Sequence, residues 1–244
     1  MMSAASSHDR FATTRWSVVM HSAAAEPADA SHALTELAQR YWYPVYAYVR
    51  RCGHAPAIAQ DITRCFLGGL MRRFREGAAQ HPQGYFRRYL LDQLNAFLGG
   101  DWREVVENDD TRELTAPDDL EVRNQRDNAQ AGSPEQAYQR SFALEVIVRA
   151  FRRLHSEALQ TGHLAMYEAL EPHLAHDPVP GEYEALAAQL QTRPLALIVA
   201  LKRLRQRFRE LVGQELADTV TSAEDLAIEQ DALHAVLSQM QARA

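Results

Sequence analysis

No stretch of this chain is apolar for the roughly 18 to 20 residues that a bilayer-spanning helix requires, and no basic stretch followed by an apolar core stands near its start. Those absences lead to the expectation of a cytoplasmic protein without membrane insertion. Cysteine is nearly missing. Cys52 and Cys65 are the only two, without a C-x-x-C pair or histidines at ligand spacing, so reduced structural thiols are expected rather than a disulfide or a metal site. His163, His173 and His176 lie loosely together but form no ligand pattern. There is no glycine-rich phosphate loop, nucleophile elbow or pair of carboxylates in a plausible cleft, and accordingly no enzyme, cofactor or metal is expected. Strand-like alternation of useful length is also missing, which leaves an all-α chain.

What is present is a segregated charge pattern beneath a net charge of −6. Residues 1–100 carry 11 basic and 7 acidic side chains, residues 101–135 carry 4 and 11, residues 136–212 carry 10 and 8, and residues 213–244 carry 1 and 6. Two mildly basic blocks thus alternate with two acidic ones, and an acidic average does not exclude a nucleic-acid partner, because a phosphate meets only the local charge. Lys202 is the single lysine among the 26 Lys and Arg side chains, a bias we attribute to genome composition.

Apolar residues at Leu34, Leu37, Ala38, Tyr41, Trp42, Val45, Tyr48 and Val49 follow helical spacing over residues 31–51, with Pro44 expected to kink the helix and Gly53 to end it. A second helix is expected over 57–74, after Pro56, and a third over 85–98, stopped by Gly99 and Gly100, with residues 77–84 as a loop and a short helix near Trp16. The acidic block 101–135, with Pro117, Gly132 and Pro134, reads as a flexible linker. A further helical unit spans residues 136–220, and Ser222-Ala-Glu-Asp225 forms a capping box for a last amphipathic helix with Leu226, Leu233, Val236, Leu237 and Met240 on one side. The expected architecture is therefore two helical domains, 10–100 and 136–220, joined by the linker 101–135 and followed by a helix over 222–243.

Within residues 181–212 a short helix, a break at Gln191 to Pro194 and a long arginine-rich helix read as a helix-turn-helix, which makes DNA the first partner to consider. Leu197, Leu201, Leu204, Phe208 and Leu211 form its inward stripe, leaving Leu195, Ile198, Val199, Lys202, Arg205 and Arg209 outward. The leading turns are apolar, so they lack the bidentate hydrogen bonds of direct base readout. Arg193 at the entrance is the best base reader, Thr192 with Pro194 supplies cap and first turn, and Lys202, Arg203 and Arg205 suit phosphates, although a merely solvated basic face is the plain alternative.

The segments Phe11-Ala-Thr-Thr-Arg-Trp-Ser-Val-Val19, Tyr41-Trp-Tyr-Pro-Val-Tyr-Ala-Tyr-Val-Arg-Arg51, Gln60-Asp-Ile-Thr63 and Phe86-Arg-Arg-Tyr-Leu-Leu91 resemble one branch of the bacterial extracytoplasmic-function sigma factors. The helix-turn-helix stands where that family keeps its fourth region. This resemblance implies a promoter-specificity subunit of RNA polymerase, whose first helical domain docks on the core enzyme and opens the −10 element while its second reads the −35 element. It also implies a polymerase-docking face at Ala57, Ile58, Asp61 and Cys65, with Arg64 at its edge. Family members usually place several carboxylates there, and here only Asp61 is acidic, which predicts weakened docking.

A phosphate would restore the missing charge, and Thr63 is the nearest hydroxyl. Thr63 carries two readings: a kinase target, or a hydroxyl bonded back to its own helix. For −10 recognition the resemblance points to residues 75–84 and the start of the third helix. Arg87 and Arg88 are expected on phosphates, Tyr85 stacked on a base or in the core, and Asn95 at a base edge. Expected partners are the RNA polymerase core, promoter DNA and, in regulation, a serine/threonine kinase or an anti-sigma protein. The alternative is a sigma-like DNA-binding or adaptor protein without initiation activity. The acidic terminal helix is expected either to cover the apolar face of the recognition helix or pair with another protein, or else to pack independently.

Overall fold

The computed structural model describes residues 27–76, 85–107, 114 and 116–241, with side chains from residue 32 to residue 240. The motif at Phe11 to Val19, the helix expected near Trp16 and the loop over 77–84 lie outside the described residues. Among the described residues there are ten α-helices and no strand. They are α1 (Pro27–Arg51), α2 (Pro56–Arg75), α3 (Phe86–Gly99), α4 (Trp102–Glu107), α5 (Leu120–Asn128), α6 (Pro134–Gln160), α7 (Leu164–Leu170), α8 (Glu182–Gln189), α9 (Pro194–Ala217) and α10 (Ala223–Gln241), with a 3-10 turn at Glu171–His173. They divide into two compact units. One is Met1–Glu145 with Leu216–Ala244, the other Val146–Glu215, so the boundaries fall within α6 and α9.

In the first unit α1 is the central helix. From Tyr41 to Val49 every side chain is buried, because helical spacing places aromatic or aliphatic groups on all sides of these turns. Pro44 lies inside α1 and withholds a backbone donor from the Arg40 carbonyl. Gly53, at φ +98°, takes the left-handed conformation that turns the chain away toward α2. Tyr41 stacks on Phe142 at 5.4 Å and meets the edge of Phe86 at 5.0 Å, which joins α1, α3 and α6 in one aromatic core.

The acidic stretch departs from the linker expectation. It contains α4 and α5, and beyond buried Leu120 the contacts that hold α5 are polar. Tyr43 donates to Asp127 at 2.9 Å, Tyr46 to Glu121 at 2.6 Å, and Arg50 clasps both Glu121 oxygens at 2.8 Å. Asn128 donates to Ser141 at 2.9 Å, and the Arg123 guanidinium lies 4.0 Å from the Tyr43 ring centroid while pairing with Glu145 at 3.0 Å. Carboxylates that would keep an isolated segment in water here complete buried phenol and guanidinium groups, so the charge that argued for a linker fixes a helix instead.

The terminal helix belongs to this same first unit, not to the helix-turn-helix. Its capping box forms as expected, with the Asp225 amide donating to Ser222 Oγ at 3.1 Å.

In the second unit, Leu197 and Leu201 of α9 pack with Leu170 and Ala187, and Leu211 packs with Ala150, Leu154, Ala158 and Tyr167. Leu204 joins both clusters. Helix α8 ends on Gln191 at φ +51°, and the Thr192 amide returns to the Ala187 carbonyl at 2.9 Å, the reverse turn that lets α9 start at Pro194. Arg193, rather than Thr192, therefore stands immediately before α9, its carbonyl accepting from the Ala196 amide at 2.9 Å.

Candidate nucleic-acid interface

Helix α9 presents two faces because its leucines recur at helical spacing. Leu197, Leu201 and Leu211 are buried, while Leu195, Ile198 and Val199 are exposed, Leu195 to 70%. Along that exposed side Arg193, Lys202 and Arg203 reach solvent, and no side-chain partner holds them among the described residues. The geometry thus brings together an entrance arginine, an apolar first turn and a cationic second turn on one helix. Arginine and lysine side chains there can meet phosphate oxygens, and the aliphatic groups can touch thymine methyls.

Arg205 departs from its expected role. Its guanidinium donates to the His173 carbonyl at 2.6 Å, the His176 carbonyl at 2.9 Å and Asp177 at 2.7 Å, so it closes the turn after α7 instead of facing outward. Arg207, one of the cations that made this helix read as DNA-facing, is paired bidentately with Glu157 at 2.7 and 2.8 Å and also with Glu210. Those hydrogen bonds, Glu157's first, push the Arg207 pKa up, and the Arg207 hydrogen bonds hold the Glu157 carboxyl below the usual carboxylate range.

On α3 the expected −10 residues fall into two groups. Arg88 and Asn95 are exposed, and Asn95 accepts from the Tyr48 hydroxyl at 2.6 Å. Tyr85 is half-buried. Arg87 is corrected from free phosphate ligand to buried ion-pair partner: its side chain is only 11% exposed and donates to Glu229 of α10 through Nε at 3.0 Å and Nη2 at 2.8 Å. Glu229 is itself fully buried at the side chain. Rings of Tyr85 and Phe142 flank the guanidinium at 5.7 and 5.2 Å, and the Tyr138 hydroxyl donates to the Arg87 carbonyl at 3.1 Å. Burial pulls the Arg87 pKa down, yet the Glu229 carboxylate outweighs it and the net direction is up.

Two further bonds fix the chain leading into α10. Arg40, nearly buried, pairs with Asp218 at 2.9 Å, and the Phe86 amide at the start of α3 donates to the Thr219 carbonyl at 3.1 Å. Sequence reasoning missed Glu229, although a signal existed. It sits between Leu226 and Leu233 in the series 226, 229, 233, 236, 240, the three-and-four spacing of the apolar stripe, so a carboxylate occupies an inward position.

On α2, Ala57 and Ile58 are exposed, and Asp61 is half-exposed and paired with Arg64 at 2.9 Å. Cys65 is buried and therefore leaves the proposed docking face. Thr63 is wholly buried, and its hydroxyl donates to the Ala59 carbonyl at 2.7 Å. A kinase cannot reach that oxygen while α2 is folded, and a phosphate there would be an unpaired buried dianion, so Thr63 is withdrawn as a modification site.

No candidate span among the described residues is long and apolar enough to cross a membrane. Compared with protein-family models, curated proteins and solved structures, the chain matches none.

Proposed function

We propose that this chain is a sigma-type promoter-recognition factor that joins core RNA polymerase to a limited set of promoters. One observation carries the reading: after α8 and the turn at Gln191, Arg193 before α9 and Lys202 and Arg203 within it are exposed, while α9 is packed through Leu197 and Leu201. In this role α9 lies on the −35 duplex, Lys202 and Arg203 on phosphates and Arg193 at a base edge. Arg88 and Asn95 on α3 serve the −10 strand. Neither Thr63 nor any other phosphorylated hydroxyl is part of the reading.

The α2 surface favours a second reading. Its lone carboxylate, Asp61, is already paired with Arg64, and Ala57 and Ile58 give no charge to a basic partner. A DNA-binding regulator of sigma-like build without initiation activity fits such a surface. Purified full-length chain, mixed with bacterial core RNA polymerase at moderate salt, separates the two. Binding together with promoter-directed transcript starts supports the sigma role. DNA binding without polymerase binding replaces it with the second reading.

A further inference from the structure

The residues tying α10 to α3 have a chemistry that matches what α3 would bind. Glu229 offers Arg87 two anionic oxygens in the bidentate geometry that a phosphodiester also offers. The carboxylate reaches Arg87 from 142 residues away in the chain, at an inward position of a helix whose neighbours Leu226 and Leu233 would be satisfied by an apolar side chain. A buried ion pair adds little stability over a well-packed apolar pair of similar size, and its best-attested use is in setting register or a switch. The chain leading into α10 is anchored, Asp218 by Arg40 and Thr219 by the Phe86 amide, with Val220 fully buried, so α10 is the strap that has to lift to free Arg87.

We propose that α10, residues 223–241, is a strap that acts as an intramolecular competitor for nucleic acid, with the Glu229 carboxylate occupying the place of a strand phosphate on Arg87. The inference rests on the reading of α3 as a DNA-facing helix, and it names the regulation of that site. In the strapped chain α3 offers Arg88 and Asn95 but not Arg87. With the strap displaced, Arg87 adds a second cation to α3 beside Arg88, each able to meet a different phosphate of one strand. Negative charge on the exposed side of α10, at Glu224 and Asp231, adds repulsion against a strand approaching the strapped form.

The test uses the full chain and a fluorescent single-stranded DNA of mixed sequence at low salt, with circular dichroism confirming that each variant is folded. Glu229→Gln is expected to bind the strand at least tenfold more tightly than the wild type, and Glu229→Gln with Arg87→Gln to lose that gain. Asp218→Asn, which unpins the strap without touching Arg87 or Glu229, is expected to raise binding by a smaller factor and serves where Glu229→Gln does not fold. Hydrogen exchange supplies a second readout: amides of 223–241 are expected to exchange faster in the wild type when the strand is bound. Unchanged affinity in both single variants, or α10 protection that persists with the strand bound, overturns the strap while leaving duplex binding through α9 intact. Loss of all DNA binding in the wild type and every variant, duplex included, overturns the DNA-facing reading itself and the strap with it.

Discussion

Arg87 on α3 and Arg203 on α9 carry the same guanidinium in segments the sequence marks as equally basic, yet the first is buried against a carboxylate and the second stands in water. The contrast extends to their surroundings. In the first unit, charges are inside: Arg40, Arg87, Asp127, Glu145 and Glu229 are all buried or nearly so and all partnered. In the second, the packed face of α9 is mostly leucine, with Glu215 buried against Arg153, and its cations are outward apart from Arg205 and Arg207, which hold their own unit together. Local charge therefore measures where a phosphate could bind only after the intramolecular carboxylates have been assigned.

The largest way to break the comparison is to remove one buried carboxylate. Glu229→Ala strands a desolvated guanidinium and is expected to lower stability by about 3–5 kcal/mol, read as a shifted urea midpoint, with the loss concentrated in the strap. Glu157→Ala removes the partner of half-exposed Arg207 and is expected to cost under about 1 kcal/mol. Glu229→Leu combined with Arg87→Met should recover most of the first loss, because an apolar pair needs no counter-charge. Equal costs for Glu229→Ala and Glu157→Ala would erase the distinction between the two regions.

Next in size is Tyr43→Phe, which leaves buried Asp127 without its phenol donor and Asn128 without one acceptor, at about 1–3 kcal/mol. This variant also bears on what the sequence disclosed. The helices themselves were legible from apolar spacing, Gly53 and Pro194, and the buried leucine stripe of α9 could be assigned, because leucine periodicity follows directly from helix geometry. The linker was not, because α5 is secured by Tyr43, Tyr46 and Arg50 from a helix far away in the chain, and such pairings leave no periodic trace. Among the candidate site residues, Arg193, Lys202, Arg203, Arg88 and Asn95 are exposed, while Arg87, Arg205, Cys65 and Thr63 are turned inward or tied down. A helical wheel gives direction, but it cannot reveal a partner supplied by another helix.

A smaller effect, confined to acid, sharpens the same point. Hydrogen bonds from Arg50 hold the Glu121 carboxyl at about 2, against an ordinary value of 4.5. The folded pKa is depressed, so the stabilisation is fully present above pH 4.5 and is lost as pH falls toward 2. Glu121→Gln should flatten the decline in urea midpoint across that window and leave the profile above it parallel to the wild type. An unchanged acid limb would mean that α5 is not held by this carboxylate.

The smallest expected effect concerns two arginines two residues apart on α9. Arg203 points to solvent and Arg205 is bound to two carbonyls and Asp177, so only the first is available to a phosphate. Each phosphate contact contributes about 0.9 to the slope of log affinity against log salt. Arg203→Gln should therefore reduce the slope for duplex DNA by about that amount, a loss of a few-fold in affinity across the ordinary salt range. Arg205→Gln should leave the slope unchanged while lowering the thermal midpoint, because the carbonyls after α7 lose their donor. The reverse pattern would mean that the turn opens on DNA and surrenders Arg205 to the backbone, and then the exposed-versus-tied distinction drawn from the free chain would hold for α3 but not for α9.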